Sequence, residues 1–260
     1  MYVTCAIGDG LGNRLFQIAA MLGYAERHGH TPVFVKEWIK TNPSQSGGNR
    51  VLEYFPGIQT ISAAGLTWTE VAPPFVDAMT YRELPRIMGN VKLSGSFQAP
   101  QYFPSGGVSL AGVVPRDWGV PTVFLHVRRG DYLHPLNQHH YVELSGYYER
   151  ALGLFDTGAA VVVCSDDIAW CKSVLPARYP SVAADKWIWF SGDEYMTLSA
   201  MMGCTLGGIC ANSTFSWWGA YLGLGGGDKL ITMPSLWIQL RAGFPKAVDI
   251  YPAWAERVSV

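Results

Sequence analysis

Four short stretches hold side chains whose types and spacing can do chemistry. The first, Gly8-Asp9-Gly10-Leu11-Gly12-Asn13, is a small-residue loop that lets a ligand come close to the backbone. It is near the dinucleotide fingerprint G-x-G-x-x-G, with Glu37 where a ribose-binding acid is expected. The third glycine falls one residue early, however, and Asn13 stands in its place, which disfavours a nicotinamide site. The second stretch is His126-Val127-Arg128-Arg129-Gly130-Asp131-Tyr132. Adjacent arginines at a strand end are costly unless they meet an anion or a carboxylate. Alternation sends Arg128 and Arg129 to opposite sides, so one can grip a diphosphate while the other pairs with Asp131 or another acid. His126 shares the face of Arg128. The third is Ser165-Asp166-Asp167. One of the two acids suits a helix cap, and the other can accept hydrogen bonds from ribose hydroxyls or a base edge. Adjacent carboxylates diverge and no His or third acid lies nearby in sequence, so no metal is expected. The fourth, Ala211-Asn212-Ser213-Thr214-Phe215-Ser216, marks a helix start. Free backbone N–H groups there, with the hydroxyls of Ser213, Thr214 and Ser216, make a ready phosphate site. Asn212-Ser213-Thr214 also spells a glycosylation acceptor, which without a secretion signal reads as chance.

The elements that must position these groups alternate. Residues 2–7 are β-rich and end at the glycine turn; Leu15, Ile18, Ala19 and Leu22 then recur at helical spacing, with Gly29 as the stop. A strand at 32–36 completes the opening of a parallel βαβ unit. The stretch 40–90 is irregular, with short strands expected near 58–61 and 75–79, and a further strand follows at 91–97. Residues 104–120 carry turn residues throughout and form the expected linker. Beyond it, strands are expected at 121–127, 159–164, 187–190, 206–210 and 229–233, and helices at 141–155, 167–175, 193–203 and 214–223. The pattern predicts an α/β chain of two Rossmann-like domains facing across a cleft, one over 1–118 and one over 119–260. The last three motifs fall at carboxyl ends of strands in the second half, the ligand edge of an open α/β sheet. An arginine pair, an acid pair and a hydroxyl-rich helix start together suit a nucleotide diphosphate.

Composition narrows the partners. The chain has 260 residues, 49% of them apolar, and a formal net charge of −1, which excludes disorder. Lys+Arg (19) does not exceed Asp+Glu (20), so no nucleic-acid footprint is expected. Five cysteines at irregular spacing lack any C-x-x-C, and are read as buried thiols of a reducing compartment. No secretory signal and no membrane span is visible, so a soluble, cytoplasmic chain is expected, either whole or as one module of a larger enzyme.

In this order the motifs are recognisable. The sequence resembles the α-1,2-fucosyltransferases of glycosyltransferase family 11. The matching elements are G-D-G-L-G-N-R-L-F-Q at 8–17, G-S-F-Q-A-P-Q-Y-F at 95–103, H-V-R-R-G-D-Y at 126–132, S-D-D at 165–167, N-S-T-F-S-W-W-G-A at 212–220 and D-I-Y-P at 249–252. The resemblance implies a GT-B-like fold and an inverting transfer of L-fucose from GDP-fucose to the 2-hydroxyl of a sugar, usually galactose, with no metal and no other cofactor. It also implies that Arg128 holds the donor diphosphate, while His126 and an acid of Asp166-Asp167 contact the nucleoside. Ser213, Thr214 and Ser216 would bind phosphate oxygens, and Gly10, Gly12 and Asn13 would face the transferred sugar. Asp9, Arg14, Ser96 and Ala99 depart from the family pattern, departures that bear on the choice of acceptor or of GDP-sugar. Asp9 and Asp131 are the carboxylates put forward as the base, although Asp131 also suits orienting the arginines. Two other readings stay open: a different GDP-deoxyhexose as donor, and a glycan-binding module without turnover.

Overall fold

The computed structural model describes residues 1–40, 50–225, 227–239 and 245–260. The chain forms two compact units: Met1–Gly112 with Ala242–Ile250, and Val113–Arg241 with Tyr251–Val260. The break at Gly112 falls inside the expected linker, six residues before the expected boundary at 118. A second difference is larger, because residues 242–250 return to the first unit instead of staying with the second. Backbone and side chain tie them there: the Asp249 N–H donates to the Met79 carbonyl at 2.9 Å, and its carboxylate accepts from the Tyr81 N–H at 2.8 Å.

Among the described residues the first unit holds five parallel strands in the order β3-β2-β1-β5-β4. These are β1 (Tyr2–Cys5), β2 (Thr31–Val35), β3 (Gln59–Ile61), β4 (Trp68–Val71) and β5 (Asn90–Leu93). Helix α1 (Leu11–His28) links β1 to β2 and buries Leu15, Phe16, Ile18 and Ala19 completely. It stops where expected: Gly29 turns left-handed at φ 71 and its N–H closes on Ala25, while Arg27 and His28 in the last turn suit the negative helix end. Gly23 lets α1 pass close to a neighbouring segment, since a Cβ there would sit 1.9 Å from the Tyr102 carbonyl oxygen. The strand expected at 75–79 is instead a 3-10 turn, Phe75–Asp77. Pro73 and Pro74 supply no N–H to a ladder, and pairing is taken up earlier by Trp68–Val71, against β5.

Among the described residues the second unit holds a six-stranded parallel sheet, β11-β10-β9-β6-β7-β8. In chain order it runs β6 (Thr122–Val127), α2 (Ser145–Leu152), β7 (Ala160–Ser165), α3 (Ile168–Arg178), β8 (Trp187–Phe190), α4 (Glu194–Met202), β9 (Gly207–Ile209), α5 (Thr214–Gly223), β10 (Leu230–Pro234) and β11 (Ala255–Val258). All six residues of β6 are buried, and each Val, Leu or Phe so buried contributes about 1.5–3 kcal/mol. Strand β9 fits between its neighbours because it is glycine-rich. A Cβ on Gly208 would lie 1.9 Å from the Phe124 ring, and one on Gly207 would lie 2.0 Å from the Leu230 carbonyl oxygen. Helix α2 starts four residues later than expected, and α3 runs past Pro176 to Arg178. Strand β11 was not anticipated. All five cysteines are free and buried.

The order of each sheet fixes where a ligand can enter. In an open parallel sheet, a crevice forms where connections leave adjacent strands in opposite directions. In the first unit β1 leads on to β2 on one side while β5 lies on the other, so the crevice opens between the loops after β1 and β5. In the second unit β6 leads to β7 while β9 lies opposite, and the crevice opens between the loops after β6 and β9.

Candidate active site

Hydrogen bonds tie the two loops of each crevice together. In the second unit, the Tyr132 hydroxyl donates to the Asn212 carbonyl at 3.1 Å, joining the loop after β6 to the loop after β9. In the first, the Gln98 side-chain amide donates to Asn13 Oδ1 at 3.0 Å, joining the loop after β5 to the start of α1. Sequence reasoning assigned neither Tyr132 nor Gln98 a role. Both lie inside quoted motifs, but nothing in residue type alone says which loops they tie.

The arginines part as strand alternation requires. Arg128 Nη2 meets Asp131 Oδ1 at 2.6 Å and its Nη1 meets Asp166 Oδ2 at 3.0 Å. These contacts engage two of the five guanidinium N–H donors. Arg129 turns the other way: its Nε meets Asp167 Oδ2 at 3.1 Å and its guanidinium stacks 3.7 Å over the Trp170 ring. The two acids of Ser165-Asp166-Asp167 divide the work. Asp167 caps α3 by accepting from the Trp170 N–H at 3.1 Å; that bond, with Arg129, holds its carboxyl below the usual range. Asp166 braces the arginine loop, accepting from the Arg129 backbone N–H at 2.9 Å as well as from Arg128. Gly130 leaves room for this, since a Cβ there would lie 2.5 Å from the Asp166 carboxylate.

His126 is buried, with its ring 5.7 Å from that of Phe215 at the start of α5 and, among the described residues, no hydrogen-bond partner on Nδ1. Burial, and secondarily Arg128, pushes its pKa down to about 3, so the imidazole is neutral at pH 7. Ser213 caps α5, its hydroxyl accepting from the Phe215 N–H at 3.3 Å, and Thr214 is half-buried in the first turn. Ser216 is placed differently from the expectation. It is fully buried, and its hydroxyl donates to the backbone carbonyls of Ser213 at 3.2 Å and Ala211 at 3.4 Å, which ties the helix start together. Asn212 is likewise committed inward, donating to the His140 and Trp237 carbonyls at 2.8 and 2.9 Å. Its amide is therefore not presented for glycosylation.

In the first unit, Gly10 precedes α1 in an extended conformation and Gly12 is buried in its first turn. Asp9 is exposed and holds a left-handed backbone at φ 65, a conformation rare outside glycine. Arg14 fastens that loop, its Nε donating to the Asp9 carbonyl at 2.8 Å and its Nη2 to the Lys40 carbonyl at 3.1 Å. Glu37, the acid a ribose would need, instead accepts from the Ala63 N–H at 3.1 Å and from Ser62. Among the described residues no three His, Cys, Asp or Glu side chains gather in a metal-binding group, and no helix is long and apolar enough to cross a membrane.

The comparisons fall on this geometry. The model of Glycosyl transferase family 11 matches residues 118–240, which contain β6, the arginine loop, the two acids and α5. The chain is 34% identical over 141 residues to the O-antigen biosynthesis glycosyltransferase WbnK of Escherichia coli, covering 51% of this chain and 43% of that protein. It is 35% identical over 118 residues to the galactoside 2-alpha-L-fucosyltransferase Sec1 of Mus musculus, covering 42% and 31%. To an alpha-1,2-colitosyltransferase of Escherichia coli it is 31% identical over 110 residues, covering 39% and 36%. The matched stretch thus spans less than half the length of each relative. Over residues 118–240 the chain is similar to glycosyltransferase family 11.

Proposed function

We propose that the chain transfers L-fucose from GDP-fucose to the 2-hydroxyl of a galactose-like sugar, inverting the anomeric carbon and using no metal. The observation that carries this reading is that the loop bearing Arg128 and the loop leading into α5 flank one crevice of the second sheet and are tied by the hydrogen bond from Tyr132 to the Asn212 carbonyl, inside the stretch that matches family 11. Breaking the donor's C1–O bond leaves the electron pair on a β-phosphate oxygen, and the acceptor oxygen forms its bond on the opposite face of C1 while losing its proton. Hydrogen bonds from the Arg128 guanidinium, together with the positive N-terminal end of α5, stabilise the charge on the leaving diphosphate. His126, neutral and buried beside them, can offer a hydrogen bond to the nucleoside without adding charge. Of the carboxylates put forward as proton acceptor, Asp131 already bridges Arg128, whereas Asp9 stands exposed. The similarity to the galactoside 2-alpha-L-fucosyltransferase Sec1 supports the 2-linkage to a galactoside; that to the alpha-1,2-colitosyltransferase supports a second reading, the same linkage with another deoxyhexose.

Calorimetry with GDP, GDP-fucose and UDP in the presence of EDTA tests the proposal, alongside transfer assays on a panel of GDP-sugars. GDP and GDP-fucose bind and UDP does not, and Arg128→Ala lowers transfer by at least ~10²-fold, the effect of losing one oxyanion donor. Near-normal turnover of Arg128→Ala, or a strict need for a divalent metal, overturns it.

A further inference from the structure

We propose that a pocket in the first unit, at the carboxyl ends of β4 and β5, binds one neutral pyranose ring of the acceptor glycan. This rests on the transferase reading and names where in this unit the second substrate is held. The pocket encloses about 180 Å³, the scale of a single sugar ring rather than a nucleotide, between the segment after β4 and the segment after β5. Its walls join flat apolar surfaces to a few polar groups. Pro73, Phe75 and Phe97 provide the first; Asp77, Ser94 and Ser96 provide the second. A pyranose has that dual character, with C–H faces that lie on rings and a rim of hydroxyls that need donors and acceptors.

Three further features favour this occupant. Phe75 is 63% exposed although large and aromatic, presented on the turn that the two prolines start. The one charge in the lining is offset, because Arg82 holds both oxygens of Asp77 at 3.1 and 3.2 Å, so the pocket suits a neutral ligand and not a phosphate. Finally, Phe97 adopts a left-handed φ of 50, and its ring stands edge-on to Tyr102 with centroids 5.3 Å apart. Non-glycine residues held in that region gather at ligand sites.

The pocket is wired to the crevice of the same sheet. Gln98 follows Phe97 directly; its backbone N–H donates to the Ala78 carbonyl in the pocket wall at 2.8 Å, and its side chain holds Asn13 at 3.0 Å. A sugar seated against Phe75 therefore lies one hydrogen-bonded residue away from the glycine loop. Ser96, one of the departures from the family pattern, stands in the lining, where a small side chain leaves the volume open and a large one closes it.

Saturation-transfer NMR with lactose as probe, GDP calorimetry and transfer kinetics, run on the wild type, Phe75→Ala and Ser96→Trp, test the proposal. Phe75 is exposed, so its truncation keeps the fold even if the tryptophan is not accommodated. Lactose binds the wild type, and both variants weaken it at least ~10-fold, raising KM for lactose with kcat and GDP affinity within about twofold. Loss of GDP binding in the wild type with Phe75-dependent lactose binding intact supports the pocket and strikes the donor reading instead. Unchanged lactose binding in both variants, or no lactose signal from a wild type that binds GDP, overturns it.

Discussion

Arg128 carries one positive charge between two negative ones, and that balance governs what it can do. Together Arg128, Arg129, Asp131, Asp166 and Asp167 sum to −1, so charge alone does not draw a diphosphate to the cluster. The more exposed partner is Asp131, whose side chain is 51% exposed against 24% for Asp166. Exposed pairs are worth only about 0–1 kcal/mol, and Asp131 is the partner a phosphate displaces. Asp131→Asn is expected to tighten GDP binding several-fold in calorimetry, with the gain shrinking as salt rises; weaker binding would contradict this. His126 makes a different test. Its folded pKa of about 3 lies below the ordinary value near 6.5, so the unfolded chain takes up a proton first as pH falls. The contribution of His126 is flat above pH 6.5 and turns against folding between 6.5 and 3. Between pH 7.5 and 5.5 this amounts to on the order of 1 kcal/mol, measurable as a fall in urea midpoint that His126→Gln removes.

Among the elements, α1 is the one whose packing depends on a single missing side chain. Gly23 faces the Tyr102–Phe103 backbone, and Arg27, one turn on, donates to the carbonyls of Tyr102 and Phe103 at 2.9 and 3.2 Å. Gly23→Ala therefore forces helix and segment apart and is expected to cost about 1–3 kcal/mol, seen as a lower thermal midpoint; an unchanged midpoint would refute the close approach. The sequence shows such elements unevenly. Alternating apolar runs and glycine turns mark β1, α1, β2 and most of the second sheet, because each has one strong period and a clear stop. Strand β4 was hidden because Thr67-Trp68-Thr69-Glu70 reads as polar, and β11 because Glu256 and Arg257 mask a four-residue edge strand. Within the candidate site, residue type was enough to single out Arg128, His126 and the acid pair. It was not enough to say that Ser216 turns inward, since i−3 and i−5 carbonyls compete for its hydroxyl only once α5 has formed.

On the scale of the whole molecule, the tail of the chain serves both units. Residues 242–250 belong to the first, through Asp249, and β11 then pairs with β10 in the second. A chain cut after residue 239 loses both at once. It is expected to show raised protease sensitivity in each unit and loss of cooperative melting, whereas a stable truncated product would show that neither tie matters. Nothing in composition announces that return, which is why a single division of the chain looked sufficient. The distribution of sulfur has its own consequence. Cys5 lies in the first unit, and Cys164, Cys171, Cys204 and Cys210 lie in the second. Burial raises every one of these thiols, Cys171 to about 11 and Cys204 to about 12. An alkylating reagent at neutral pH therefore reacts only with molecules that have opened, and mass spectrometry of the adducts counts openings separately, one mass increment for the half bearing the glycine loop and up to four for the half bearing Arg128.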